Sequence, residues 1–364
     1  MIKLNKNLLK LSEFGFTILQ IETKANCNME CRFCPYPIRD DKDSILDEQD
    51  VINLIDQINP EDKKFEYLCF SQFNEPLLDP KIFKFIKYAN SKNVRNLLIT
   101  NALLFNKESK RRDLINCEPA IIKISLQNLD VKKFNWARGS KIDVEDYFLR
   151  IYKFLSEIKE KKTIVSLDVA CNFLKPYSKK IRKVLGISSG DPSVPDYLTS
   201  IENDLKSFLQ GLNKYDDYFN IEEKEIANFL KNTNNYYIEE NGLQLANNIY
   251  LKIKPFIFGR RITEFYPLKH SFSCTERILG VLADGSVVPC CKIYNSDLVL
   301  GNIKKSSLQD ILNANSKWFY DLRDTSKNKH EICKKCYGEP TRRGVLARVA
   351  IDKVKNLLSK KKEK

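Results

Sequence analysis

The stretch Cys27-Asn28-Met29-Glu30-Cys31-Arg32-Phe33-Cys34 offers three thiols at close spacing, with no further Cys or His just beyond Cys34. A cubane iron–sulfur cluster has four irons and ordinarily takes four cysteines, so three leave one iron open to a ligand that is not protein. Three buried thiols or a zinc site are the plainer alternatives, but structural zinc usually closes with a fourth Cys or His nearby. The spacing favours a cluster with a reactive iron.

Reading outward, the β-rich run Phe16 to Glu22 leads into the cysteine loop. A second apolar run, Phe65 to Phe70, ends in Ser71-Gln72-Phe73-Asn74-Glu75-Pro76-Leu77-Leu78. The run Asn96 to Thr100 enters Asn101-Ala102-Leu103-Leu104, and Ala120 to Leu126 enters Ser125-Leu126-Gln127-Asn128, with Arg138-Gly139 further on. Taken singly, a Glu before Pro is usually a solvated loop residue and Arg-Gly a helix-entry turn. In series, at the ends of successive β-like runs, they support one another.

Together these motifs resemble the radical SAM superfamily, whose signature is C-x3-C-x-aromatic-C after the first barrel strand. The resemblance implies that Cys27, Cys31 and Cys34 hold a [4Fe-4S] cluster whose open iron chelates S-adenosylmethionine, and that electron transfer to the sulfonium yields a 5′-deoxyadenosyl radical. It also implies cofactor contacts at Phe33, Asn74, Glu75, Ser125 and Arg138. Glu75 and the backbone before it correspond to the group that holds the methionine ammonium, and Ser125 and Arg138 to those that hold the carboxylate. The chain departs from the family's Gly-Gly-Glu-Pro at Phe73 and Asn74, and from its Ser-x-Asp-Gly at Gln127 and Asn128.

A second cysteine set lies near the other end: Cys274, Cys290-Cys291, Cys333 and Cys336. Between them Gly280 to Pro289 reads as a hairpin turning at Asp284-Gly285, and Ser307 to Asn313 as a helix. This resembles the short Twitch form of the SPASM domain, which implies one auxiliary [4Fe-4S] cluster on Cys274, Cys290, Cys333 and Cys336. Either Cys290 or Cys291 is the ligand at that position, and the Gly-x4-Cys spacing from Gly285 favours Cys290. A four-thiolate zinc ribbon is the alternative for this set alone.

Strand-like runs near 16–23, 65–71, 95–100, 120–126, 163–170 and 248–254 alternate with helix-like runs near 47–58, 80–92 and 144–160. That order predicts an α/β fold, a partial (β/α)6 barrel, with a small hairpin-plus-helix unit after it. The expected divisions are 1–260 for the barrel, 261–340 for the auxiliary unit and 341–364 for a basic amphipathic tail. Segment 179–247 is read as a helical insertion, either a lid carrying Tyr215, Tyr218, Tyr236 and Tyr237 or an extended crossover packed outside the barrel.

A chain of 364 residues with 43% hydrophobic residues suffices for such a core. Eight of its 11 cysteines fall in the two sets, which suits metal in a reducing compartment; Cys69, Cys117 and Cys171 read as core. Neither a signal-peptide core nor a membrane span is apparent, and a cytoplasmic location is expected. The net charge of +14 is concentrated in the tail, where nine basic residues face two acidic ones between Thr341 and Lys364. Peripheral contact with an anionic membrane through that tail is one expectation, and docking on the protein the other; nucleic acid is not expected as a partner.

Three activities fit the sequence. The first is oxidation of a small molecule, sugar or peptide, with the auxiliary cluster taking the substrate's electron and a flavodoxin or ferredoxin supplying the first one. The second is a redox-neutral epimerase or mutase, and the third a zinc-binding protein with a degenerate barrel. Arg260 and Arg261 stand as candidate anion contacts.

Overall fold

Six apolar runs form parallel strands: β1 (Ile18–Ile21), β2 (Tyr67–Cys69), β3 (Asn96–Thr100), β4 (Ile121–Gln127), β5 (Ile164–Cys171) and β7 (Ile249–Pro255). The computed structural model describes residues 8–171, 197–232, 242–255, 265–267, 277–294, 298–317, 319, 330–336, 338, 341–346 and 349–350. Cys274, Arg260, Arg261, Tyr236, Tyr237 and the tail beyond 350 lie outside them, as does the side chain of Cys171. The strands pair in chain order, β1 to β5 and then β7, with Leu97 opposite Ile121 and Ile121 opposite Ile164. The short β6 (Leu243–Ala246) runs antiparallel along β7 and closes that edge.

Helices α1 (Glu48–Gln57), α2 (Ile82–Ser91), α3 (Glu108–Asn116), α4 (Val131–Arg138) and α5 (Val144–Ile158) supply crossovers. Of these, α3 and α4 go beyond the sequence expectation. The latter is short and largely polar, and its N-cap Asp130 accepts from the N–H groups of Lys132 and Lys133. In α5 the buried residues Tyr147, Phe148, Ile151, Phe154, Leu155 and Ile158 recur at helical spacing and face the sheet.

The described part of the insertion forms α6 (Tyr197–Tyr215) and α7 (Glu223–Asn232). Phe208 of α6 meets Phe148 edge-on at 5.2 Å, and the Tyr152 hydroxyl donates to the Phe208 carbonyl at 2.8 Å. Ile201, Leu205, Leu209 and Leu212 join the main core. These two helices pack against α5 and the main core.

The hairpin expected near Gly285 is present as β8 (Ile278–Val281) and β9 (Ser286–Val288). Gly285 takes φ of +91°, a backbone value that suits glycine. The hairpin does not stand apart from the barrel, because β8 pairs in parallel with the free side of β1, with Ile18 opposite Ile278. The apolar run Ile278 to Val281 can serve an edge left open, a choice that local sequence does not encode. Among the described residues one mixed sheet results, in the order β10-β9-β8-β1-β2-β3-β4-β5-β7-β6, with β10 at Gly301–Asn302. The helix α8 (Leu308–Ala314) follows, capped by Ser307, and α9 (Glu331–Cys336) carries the last two cysteines.

Helices cover one face of the sheet. On the opposite face Cys69, Leu97 and Ile121 are still buried, so the sheet curls over them.

Candidate active site

The three-cysteine loop leaves β1 and is fastened at both ends. Glu22, the residue after β1, is fully buried and accepts a paired bond from Arg39, at 2.5 and 2.8 Å. Arg39 also pairs with Asp41. The same Glu22 carboxylate accepts from the Phe73 N–H and from the Ala283 N–H, each at 3.3 Å. One side chain thus ties together the cysteine loop, the loop after β2 and the hairpin that leads to Cys290. None of this was anticipated, although a carboxylate at the C-terminal end of a barrel strand is a functional signal in itself.

The other end of the loop rests on α4. The Arg32 N–H and Nε donate to the carbonyls of Ala137 and Trp136, each at 3.0 Å, so the loop satisfies carbonyls that the helix end leaves open. Gly139 ends that helix in the left-handed region, at φ +57°, and a Cβ there would lie 2.3 Å from the Glu30 carbonyl oxygen. Arg138-Gly139 is accordingly a helix exit and not an entry.

Glu75 is buried and held by three donors: Thr100 Oγ1 at 2.7 Å, the Asn101 N–H at 2.7 Å and the Leu77 N–H at 3.2 Å. Its own N–H donates to the Asn26 carbonyl, which brings the loop after β2 against the cysteine loop. Burial raises its pKa, and these hydrogen bonds and Arg138 oppose the rise. Asn101 also reaches the cysteine loop, donating to Asn28 Oδ1 at 2.8 Å and lying 3.9 Å from Cys27 Sγ.

Arg138 is buried, donates from Nη2 to the Ser125 carbonyl at 2.9 Å, and stands 5.9 Å from the Phe33 ring centre. The Ser125 hydroxyl accepts from the Gln127 side chain at 2.8 Å. Asn74 Oδ1 accepts from the Gln72 N–H. Two buried donors, Arg138 Nε and Asn74 Nδ2, have no hydrogen-bond partner among the described residues. Unpaired buried donors of this kind suit an anionic ligand group.

Burial pushes the Cys27 thiol up to about 12, with the Glu75 carboxylate adding to the rise, and it pushes Cys31 and Cys34 up as well. The Arg138 guanidinium works against this at Cys27 and Cys31. At the auxiliary set burial raises the Cys290 thiol, and Cys291, Cys336 and Cys333 lie close enough to raise it further. Among the described residues no three His, Cys, Asp or Glu side chains converge on the position of a single metal ion. A cubane asks something else, since each cysteine ligates a different iron. The donor set, three thiols beside a buried guanidinium with an open donor, fits a cluster and an amino-acid carboxylate.

Comparison with known families agrees. Residues 21–171 match the radical SAM superfamily, and residues 274–337 match the SPASM iron–sulfur cluster-binding domain. The chain carries a radical SAM domain and a SPASM domain. The radical SAM domain implies a [4Fe-4S] cluster and S-adenosylmethionine, and the SPASM domain auxiliary iron–sulfur binding. No curated protein matches the chain.

Solved structures similar to this radical SAM chain include BtrN in complex with AdoMet and 2-DOIA, at 15% identity and TM-score 0.48, covering 88% of this chain and 92% of that one. Native anSMEcpe with bound AdoMet has 16% identity and TM-score 0.46, over 86% and 84%. Streptococcus suis SuiB bound to precursor peptide SuiA has 16% identity and TM-score 0.48, over 83% and 66%. Likenesses at this level do not bear on reaction or substrate. Among the described residues no helix is long and apolar enough to cross a membrane.

Proposed function

We propose that this radical SAM enzyme oxidises its substrate, with one auxiliary [4Fe-4S] cluster on Cys274, Cys290, Cys333 and Cys336 as the electron acceptor. The observation that carries the reading is the shared sheet. The strand that feeds the first cysteine loop is hydrogen-bonded to the strand that leads towards Cys290, and Glu22 accepts from both neighbouring loops. Two redox centres tied into one sheet, one set of cysteines after β1 and Cys290 after β9 with β8 between them, suit electron transfer, and four cysteines on a cubane leave no iron open for substrate.

In this reading S-adenosylmethionine, when bound, supplies the radical that takes a hydrogen atom from the substrate. Cys27, Cys31 and Cys34 hold the first cluster. Glu75 and the backbone at Asn74 orient the methionine ammonium end, Arg138 with Ser125 the carboxylate end, and Phe33 packs beside Arg138. The substrate would be a small molecule, sugar or peptide segment, and a cluster held by Cys274, Cys290, Cys333 and Cys336 would take up the second electron as the proton passes to water. A flavodoxin or ferredoxin in the cytoplasm supplies the reducing electron.

The test replaces Cys333 and Cys336 by Ala in the reconstituted protein and screens candidate substrates by mass spectrometry. Formation of 5′-deoxyadenosine should persist while loss of two hydrogens from substrate stops. A folded double variant that converts substrate at the wild-type rate would favour redox-neutral epimerase or mutase chemistry instead.

A further inference from the structure

The inner face of the barrel carries charge that the cofactor contacts leave unused. Along β4, Ile122, Ile124 and Leu126 point into the helical layer, so Lys123, Ser125 and Gln127 face the other way. Register extends that inner face across the sheet. Lys123 lies opposite Ser166, Ser125 opposite Asp168, Asp168 opposite Lys252, and Ala170 opposite Lys254. Three lysines and one aspartate therefore share one half-buried patch. It adjoins the cofactor contacts directly, since the carbonyl of Ser125 accepts from Arg138.

The aspartate is already spent. Asp168 Oδ2 accepts from Lys254 Nζ and its Oδ1 from Ser166 Oγ, each at 2.7 Å. The side chains of Lys123 and Lys252 have no hydrogen bond or ion pair among the described residues. Burial lowers the Lys123 pKa and Lys254 adds to the lowering, with Asp168 opposing it. An ammonium withdrawn from water without a counterion is costly, and a fold keeps one where a ligand completes it.

We propose that Lys123 and Lys252 bind an anionic group of the substrate, a carboxylate or a phosphate. The patch holds two more positive than negative charges, and each ammonium has all its donors open to the ligand. This rests on the proposed function only in that the substrate enters the barrel beside the cofactor.

The test is a thermal-shift titration of the reconstituted protein with inorganic phosphate and, separately, acetate, against chloride at matched ionic strength. Neither reductant nor turnover is involved, so failure of the oxidation reading appears in product analysis and failure of the anion site appears here. Phosphate or acetate should raise the wild-type melting temperature above the chloride control, and the stronger of the two identifies the group. In Lys123→Met with Lys252→Met, the half-saturating concentration should rise about tenfold or more, as expected for two lost charge-assisted bonds. Lys123→Arg with Lys252→Arg keeps the charge and should keep most of the response. Lys252→Met alone gives the same reading if the double Met variant does not fold. A wild-type response no larger than with chloride, or an undiminished response in the Met variants, would overturn the site.

Discussion

Glu75 shows how little of a residue's role its type reveals. In sequence it is a Glu before Pro; in the fold it accepts three hydrogen bonds from two loops that flank the cysteines. Glu75→Gln exchanges a charged acceptor for a neutral one and turns an amide NH2 towards a donor. The variant should keep its iron but bind S-adenosylmethionine about tenfold more weakly, as measured by equilibrium binding. Glu22 is the stronger structural case. Glu22→Ala leaves Arg39 buried with only Asp41 beside it and strips the acceptor from the Phe73 and Ala283 N–H groups. A loss of about 3–5 kcal/mol in urea unfolding is expected, and Arg39→Met added to it should recover part of that loss.

Among elements, α4 matters most for the first cluster because its open carbonyls are the seat of the cysteine loop. Gly139→Ala forces a side chain into the left-handed region, at about 1–2 kcal/mol, and drives a Cβ into the Glu30 carbonyl. Reconstituted Gly139→Ala should retain about four irons, at the auxiliary site, against about eight in the wild type.

The strands that position the site were legible in sequence, since each is an apolar run ending at a motif, and the observed β4 starts one residue inside the expected run. Less legible was α4, whose polar composition hides its helicity and whose stability comes from Asp130 and the loop it supports. The attachment of Ile278–Val281 to β1 was not legible at all, because pairing over such a separation leaves no local trace. Phe33, Ser125 and Arg138 do come together, whereas Glu22, Arg39 and the inner lysines were overlooked. An acidic residue closing an apolar strand was the available clue to Glu22.

For the whole molecule, iron loading is coupled to protons. The folded apoprotein holds protons on Cys27, Cys31 and Cys34 more tightly than the unfolded chain, where a thiol titrates near 9.0. That contribution to stability is complete below pH 9, begins to fall as pH passes 9, and is lost once pH has risen through the folded value, about 12 for Cys27. Iron-free protein should therefore melt at progressively lower temperature above pH 9, and the variant with all three replaced by Ala should show a shallower decline. Ligation requires the thiolates, so iron uptake should release protons and strengthen with rising pH, measurable by chelator competition.

The pairing of β1 with β8 also sets a clock on synthesis. Ile21 leaves the ribosome long before its partner Val281. At about 5–20 residues per second, one side of β1 waits on the order of 10–50 s for the strand that covers it. During that interval the three cysteines already hang from a strand with a bare edge, a template for pairing with another nascent chain. Early assembly of the first cluster would occupy the loop beside that edge, so iron supply during translation should govern how much of the chain escapes aggregation.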